Sequence, residues 1–184
     1  MTLQFKEQDF QIQAVKSVVD CFEGQPLKTN RFTLERTAAL IKKAKQAATG
    51  VQTIEFEIEE EIGYRNSAIQ ILEPQLLKNI QEVQKHNDLH ESQQIERPKG
   101  VKLGYNLTIE METGTGKTYT YIRSMYELHK KYGWSKYIVI VPSIAIREGV
   151  YKSFQVTQDH FQELYGHKIN PFIYNSGRPQ DIEN

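Results

Sequence analysis

Cysteine is almost absent from this 184-residue chain, which has one, Cys21. A lone thiol closes no internal disulfide and supplies no zinc-ligand cluster. It falls on the apolar side of an expected helix, which predicts a buried structural thiol. Net charge is absent too, since 23 Lys and Arg balance 23 Asp and Glu. No global field draws the chain to nucleic acid, and any DNA contact has to be local. No stretch approaches the roughly 18 apolar residues of a membrane helix. The N-terminus has no signal-peptide core, so a cytoplasmic protein with no membrane partner is expected. Repeats and low-complexity tracts are missing, and the length suits one ordinary domain.

What the chain does have is the octapeptide Met111-Glu-Thr-Gly-Thr-Gly-Lys-Thr118. Tyr105 to Glu110 before it reads as a short strand. Tyr119 to Lys131 after it reads as a helix, with Tyr121, Met125, Leu128 and Tyr132 on one buried face. Strand, glycine-rich turn and helix are the context a phosphate-binding loop needs. Gly114 and Gly116 let the backbone curl so that the N–H groups of Thr113 to Thr118 can turn toward phosphate oxygens. The starting helix dipole favours the same negative charge. Lys117 can reach the β- and γ-phosphates of ATP, and the Thr118 hydroxyl can ligate a bridging Mg²⁺. The usual pattern has glycine where Met111 stands. Kinases and small GTPases keep that glycine, whereas helicase-like ATPases often replace it, so a motor is favoured over a phosphotransferase.

Elsewhere, residues 10–23 read as a helix with Ala14, Val15, Val18 and Phe22 on one side, ended by Gly24 and Pro26. A second helix is expected over 33–49, where Lys42, Lys43 and Lys45 face outward as a solvated face or a local DNA contact. Ile54, Phe56 and Ile58 alternate with Glu55, Glu57 and Glu59, a half-buried strand whose carboxylates solvate one face. Pro74 suits the first turn of another helix, with Leu76, Leu77, Ile80 and Val83 buried. Residues 87–100 read as an exposed polar connection. Gly133 stops the helix behind the glycine loop. Tyr137 to Val141 suits a strand buried on both faces of a parallel sheet. A helix is expected over Ile144 to Phe154 and a further strand over Lys168 to Tyr174. Strand and helix in alternation describe an α/β fold.

Two more segments bear on function. Phe10-Gln11-Ile-Gln-Ala14 looks like the adenine-recognition element of helicase-like ATPases. A carboxamide can donate to N7 of adenine and accept from its N6 amino group together. Gln11 then holds the base and Phe5 stacks on it; the plain alternative is a surface glutamine at a helix start. Val139-Ile-Val-Pro-Ser-Ile-Ala-Ile-Arg-Glu-Gly149 places a proline and a small hydroxyl residue at a helix start. Such a turn makes an anion site from backbone amides. Ser143 and Arg147 are the candidate DNA-phosphate contacts, against the alternative of an ordinary capping serine.

Together these residues resemble the Res subunit of type III restriction enzymes. Met111 to Arg123 is similar to its motor motif, and Val141 to Gly149 to its next motif. Gly63-Tyr-Arg-Asn66 and Asn79-Ile-Gln-Glu-Val-Gln84 resemble stretches between its adenine and phosphate motifs. The resemblance implies a superfamily-two motor that couples ATP hydrolysis to movement along double-stranded DNA. It also implies a methyltransferase subunit as partner and a separate nuclease domain. The implied fold is a partial RecA-like P-loop motor domain, a parallel sheet flanked by helices. Residues 1–184 would be the N-terminal part of the first such domain, with residues 25–100 an α/β insertion between the adenine motif and the phosphate loop. No Asp-Glu-x-His-type motif follows residue 118, and no second motor domain or nuclease carboxylate–lysine cluster is present. The chain is therefore expected to be a portion of a longer protein, and to bind nucleotide without turning it over by itself. A nucleotide-binding or interaction module of another helicase-like ATPase is the alternative, and a small-molecule kinase is disfavoured by Met111.

Overall fold

The computed structural model describes residues 5–27, 66–100 and 104–174. Four α-helices organise them: α1 (Asp9–Asp20), α2 (Glu73–His86), α3 (Lys117–Tyr132) and α4 (Ile144–Tyr165). The helix expected over 33–49 and the strand expected over 54–59 lie outside the described residues.

Helix α3 sits in the middle, packed on α1 along one side and α4 along the other, while α1 also meets α2. Val15 and Val19 of α1 close on Leu128, Tyr132 and Trp134. On its other side α3 presents Ile122 and Tyr126 to Phe161 of α4. The single stripe read from the sequence was therefore too narrow. Tyr121 is only partly buried, whereas Ile122 and Tyr126 are almost fully covered. A helix flanked on two sides buries more than one stripe. Gly133 ends α3 as expected: it adopts φ +78°, and its N–H donates to the His129 carbonyl at 2.8 Å. That is the left-handed closure glycine permits.

Helix α2 begins where Pro74 was expected to start it and buries Leu76 and Ile80 against Ile95. Cys21 packs on this cluster, and its thiol donates to the Ser17 carbonyl at 3.2 Å. Burial pushes the thiol up to about 11. The connection over 87–100 is polar and largely exposed, yet it drops Ile95 into the core.

Long-range amides fasten these pieces. Asn79 donates from Nδ2 to the carbonyls of Cys21 and Glu23, tying α2 to the end of α1. Asn66 accepts from the N–H groups of Ser135 and Lys136 and donates to the Lys136 carbonyl at 2.7 Å. Trp134 donates its indole N–H to the Ser67 carbonyl at 3.0 Å. Each pairing gives a side-chain partner to a backbone group, the Trp134–Ser67 bond doing so where water is excluded.

The strands expected around the glycine loop are not paired among the described residues. Residues 105–110, 137–141 and 168–174 form no sheet among the described residues, whose only bridge is the antiparallel pair Glu96 and Asn106. A strand needs a neighbour to take its ladder hydrogen bonds. The run at 137–141 nonetheless keeps a period of two: Ile138 and Ile140 are each 90% exposed, while Tyr137 and Val141 are partly covered. Helix α4 runs to Tyr165, eleven residues past the expected Phe154. Thr157 and Phe161 continue its buried side through a polar stretch that masked the periodicity.

Candidate functional site

The glycine-rich loop delivers the chain into α3 at Lys117. Gly114 and Gly116 take φ of +83° and +85°, the left-handed region that other residues enter at a cost. A side chain built on Gly114 would meet open space, whereas one on Gly116 would run into the Gln11 amide. The two glycines thus have different reasons to be glycine. Gly114 needs only its dihedral; Gly116 also makes room for Gln11.

Gln11 comes from the first turn of α1 and donates from Nε2 to the Thr115 carbonyl at 2.9 Å across 104 residues of sequence. The two motifs singled out separately in the sequence therefore meet. Thr115 Oγ1 donates to the Glu112 carbonyl at 2.6 Å, tightening the loop. The Lys117 ammonium donates to the carbonyls of Met111 and Glu112, the latter at 2.8 Å. Thr113 is exposed and Thr118 partly buried beside the loop.

Around the start of α3 is a cluster that the sequence reading missed. Arg123, whose side chain is only 11% exposed, pairs with Glu7 at 2.9 Å and donates to the Tyr119 hydroxyl at 3.3 Å. That hydroxyl lies 2.9 Å from His160 Nε2 on α4. Burial raises the Tyr119 phenol, and burial together with the Arg123 charge lowers His160. The hydroxyl accepts from Arg123, and it donates to His160 when the imidazole carries its proton on Nδ1. Phe5 stacks over Tyr119 with ring centres 6.1 Å apart and lies 5.0 Å from His160. The segment before α1 is thereby pinned to both α3 and α4. A cavity of about 290 Å³ opens beside Thr118, walled by Phe5, Tyr119, Lys152 and Val156. The spacing of Tyr119 and Arg123 at i and i+4 was the available signal.

Ser143 and Arg147 lie apart from this cluster. Ser143 is the N-cap of α4, and its hydroxyl accepts from the Ile146 N–H at 3.3 Å. The capping function weighed against DNA contact is thus present. Arg147 pairs with the adjacent Glu148 at 2.8 Å. No hydrogen bond joins either residue to the glycine loop among the described residues.

The loop residues suit a magnesium–nucleotide complex on geometric grounds. Gly114 leaves open space where a side chain would stand, and Lys117 and Thr118 follow it at the helix start. Among the described residues no helix is long and apolar enough to cross a membrane.

Residues 4–177 match the family model described as "Type III restriction enzyme, res subunit". The EcoPI Res subunit of Escherichia phage P1 is 32% identical over 118 residues, covering 60% of this chain and 11% of that protein. The EcoP15I Res subunit of Escherichia coli is 32% identical over 113 residues, again 60% of this chain and 11% of the relative. The StyLTI Res subunit of Salmonella typhimurium is 48% identical over 62 residues, 33% of this chain and 6% of that protein. The chain thus spans about a tenth of the length of the first two relatives. A helicase-like RecA fold is what this family implies. With its model matched along nearly the whole sequence, the chain belongs to the family of type III restriction enzyme Res subunits.

Proposed function

We propose that this chain is the ATP-binding part of a DNA-translocating, helicase-like motor in a type III restriction endonuclease, in which ATP hydrolysis is coupled to DNA cleavage. The observation that carries this reading is the Gln11 amide bonded to the Thr115 carbonyl of the glycine loop. A base-reading group beside a phosphate cradle is what a nucleotide needs at its two ends. Gln11 keeps its Oε1 for the adenine amino group, a role its hydrogen-bonding inventory allows. The backbone N–H groups of Thr113 to Thr118 take the phosphates, with the α3 dipole behind them.

Lys117 then leaves the carbonyls of Met111 and Glu112 for the β- and γ-phosphates. In that exchange the ammonium gives up neutral carbonyl acceptors for charged phosphate oxygens, which make the stronger hydrogen bonds. The Thr118 hydroxyl would hold the Mg²⁺, which offsets phosphate charge when bound. Ser143 and Arg147 serve as a grip on the backbone of double-stranded DNA, and a methyltransferase subunit is the partner in the full complex. The chain forms the N-terminal part of the first motor domain, whose parallel sheet would include residues 137–141, with residues 25–100 inserted in it.

A second reading applies to the chain in isolation: a nucleotide-binding module without turnover. It is favoured by the absence of an Asp-Glu-x-His-type motif after Thr118. Metal-assisted attack needs an oriented water as well as a held phosphate. The test is Lys117→Ala in the full-length parent, measured as DNA-stimulated phosphate release. Loss of a transition-state charge contact should lower turnover at least ~100-fold. Near-normal turnover would refute the assignment. Robust hydrolysis by the purified 184-residue chain would refute the second reading.

A further inference from the structure

Away from the glycine loop, the C-terminal ends of α3 and α4 bring two histidines together. His129 occupies the last turn of α3, and His167 follows Gly166, which closes α4. Their ring centres stand 4.9 Å apart, with the planes inclined at 67°. Both rings are partly buried and line one cavity of about 320 Å³.

The hydrogen bonds determine which nitrogens are free. His129 Nδ1 lies 3.1 Å from the Trp134 carbonyl, and His167 Nδ1 lies 3.0 Å from the Tyr165 carbonyl. A carbonyl oxygen only accepts, so both Nδ1 atoms carry the proton. In this tautomer each ring has its lone pair on Nε2, and among the described residues neither Nε2 has a hydrogen-bond partner. His160, by contrast, has its Nε2 engaged by Tyr119.

We propose that His129 and His167 form a binding site for a divalent transition-metal ion, of the zinc, nickel or copper class. A backbone carbonyl on the far nitrogen is the usual support of a metal-binding imidazole, because it sets the tautomer and the ring orientation. With metal–nitrogen distances of about 2.0–2.1 Å, two imidazoles on one tetrahedral ion hold their ring centres about 5 Å apart. The observed 4.9 Å, which edge-to-face packing of two rings also gives, is close enough for one ion to reach both rings. The negative end of the α3 dipole at His129 offsets part of the ion's charge. Lys130 also borders the cavity, but it is exposed and its flexible stem lets the ammonium turn to solvent.

No group of three or more His, Cys, Asp or Glu side chains suited to a metal exists among the described residues. Water fills the remaining positions, so the site is weaker than a closed structural zinc site and prefers imidazole-seeking ions over magnesium or calcium. A bound ion would cross-link the end of α3 to the end of α4, the two helices that enclose the aromatic cluster of Tyr126 and Phe161.

The intact protein, stripped of metal, is titrated with Cu²⁺ and followed by electron paramagnetic resonance. Two imidazole nitrogens should couple to the first copper bound. His129→Gln and His167→Gln should each leave one nitrogen and weaken binding more than ~10-fold. His86→Gln should change neither quantity. Thermal melting with and without Zn²⁺ supplies a second readout: the wild-type midpoint rises, and that of the double variant does not. Melts in chelator establish that the variants fold. A one-nitrogen wild-type spectrum, an unchanged double variant, or a signal abolished by His86→Gln would each overturn the proposal.

Discussion

Replacing Gly116 with alanine perturbs two things, and its neighbour Gly114 separates them. Both glycines hold φ near +85°, at +83° and +85°. An L-residue pays roughly 1–2 kcal/mol there, and that term is common to both substitutions. At Gly114 the new methyl group meets nothing within 4 Å. At Gly116 it meets the Gln11 amide nitrogen, the far end of a flexible side chain that can swing aside. What Gln11 loses in moving is its bond to the Thr115 carbonyl, now 2.9 Å. One such bond is worth about 0.5–1.5 kcal/mol. Gly114→Ala should therefore cost roughly 1–2 kcal/mol and Gly116→Ala roughly 1.5–3.5 kcal/mol. A double-mutant cycle with Gln11→Ala isolates the difference, because alanine at position 11 has no amide to displace. The assay is native-state hydrogen exchange at Thr120, whose N–H donates to the Gly116 carbonyl, and at the bonded amides of the next turn of α3, which report local opening. Equal costs at the two glycines, with Gly116→Ala undiminished in the Gln11→Ala background, would refute the steric account.

Three further outcomes are expected. Gln11→Ala should narrow the preference of the full-length parent for ATP over GTP, since a site built on hydrogen bonds rejects analogues that leave its groups unpaired; competition binding of the two nucleotides measures it, and an unchanged ratio returns Gln11 to a purely structural role. His160 is held below its ordinary range by burial and by Arg123. The unfolded chain then binds more protons than the folded one as pH falls below about 6.5, so stability is fully present above that value and declines on acidification through the folded pKa. His160→Gln should flatten that slope in thermal melts between about pH 5 and 8, and an equally steep slope in the variant would assign the acid sensitivity elsewhere. Leu76→Ala, at a side chain with no exposed surface, should cost about 2–5 kcal/mol in chemical denaturation; a loss below about 1 kcal/mol would mean that α2 is not part of the cooperative core.

What was legible in the sequence follows from the range of the forces involved. Helices α2 and α3 were readable end to end because their signals are local, Pro74 in the first turn of α2 and Gly133 after α3, whereas α1 stops at Asp20, three residues before the end expected from Gly24. The full burial of α3 was not, since Ile122 and Tyr126 are covered only because α4 lies against them. Nor was the length of α4, whose second half buries Thr157 and Phe161 within a polar run. The apolar run at 137–141 announced a strand by composition, but strand pairing is a property of two segments, and no strand pairs with it among the described residues. The amide fastenings of Asn66 and Asn79 were beyond reach for the same reason: each spans more than fifty residues. Gln11 is the instructive exception. Its bond to Thr115 spans 104 residues, whereas the expectation placed Gln11 on adenine. Adenine and phosphates belong to one small molecule, so a base-reading amide and a phosphate loop that serve the same nucleotide have to converge. On the proposed reading, the chemistry of a ligand supplies a long-range constraint that no helical or strand periodicity carries, and that constraint would bring Gln11 to the glycine loop.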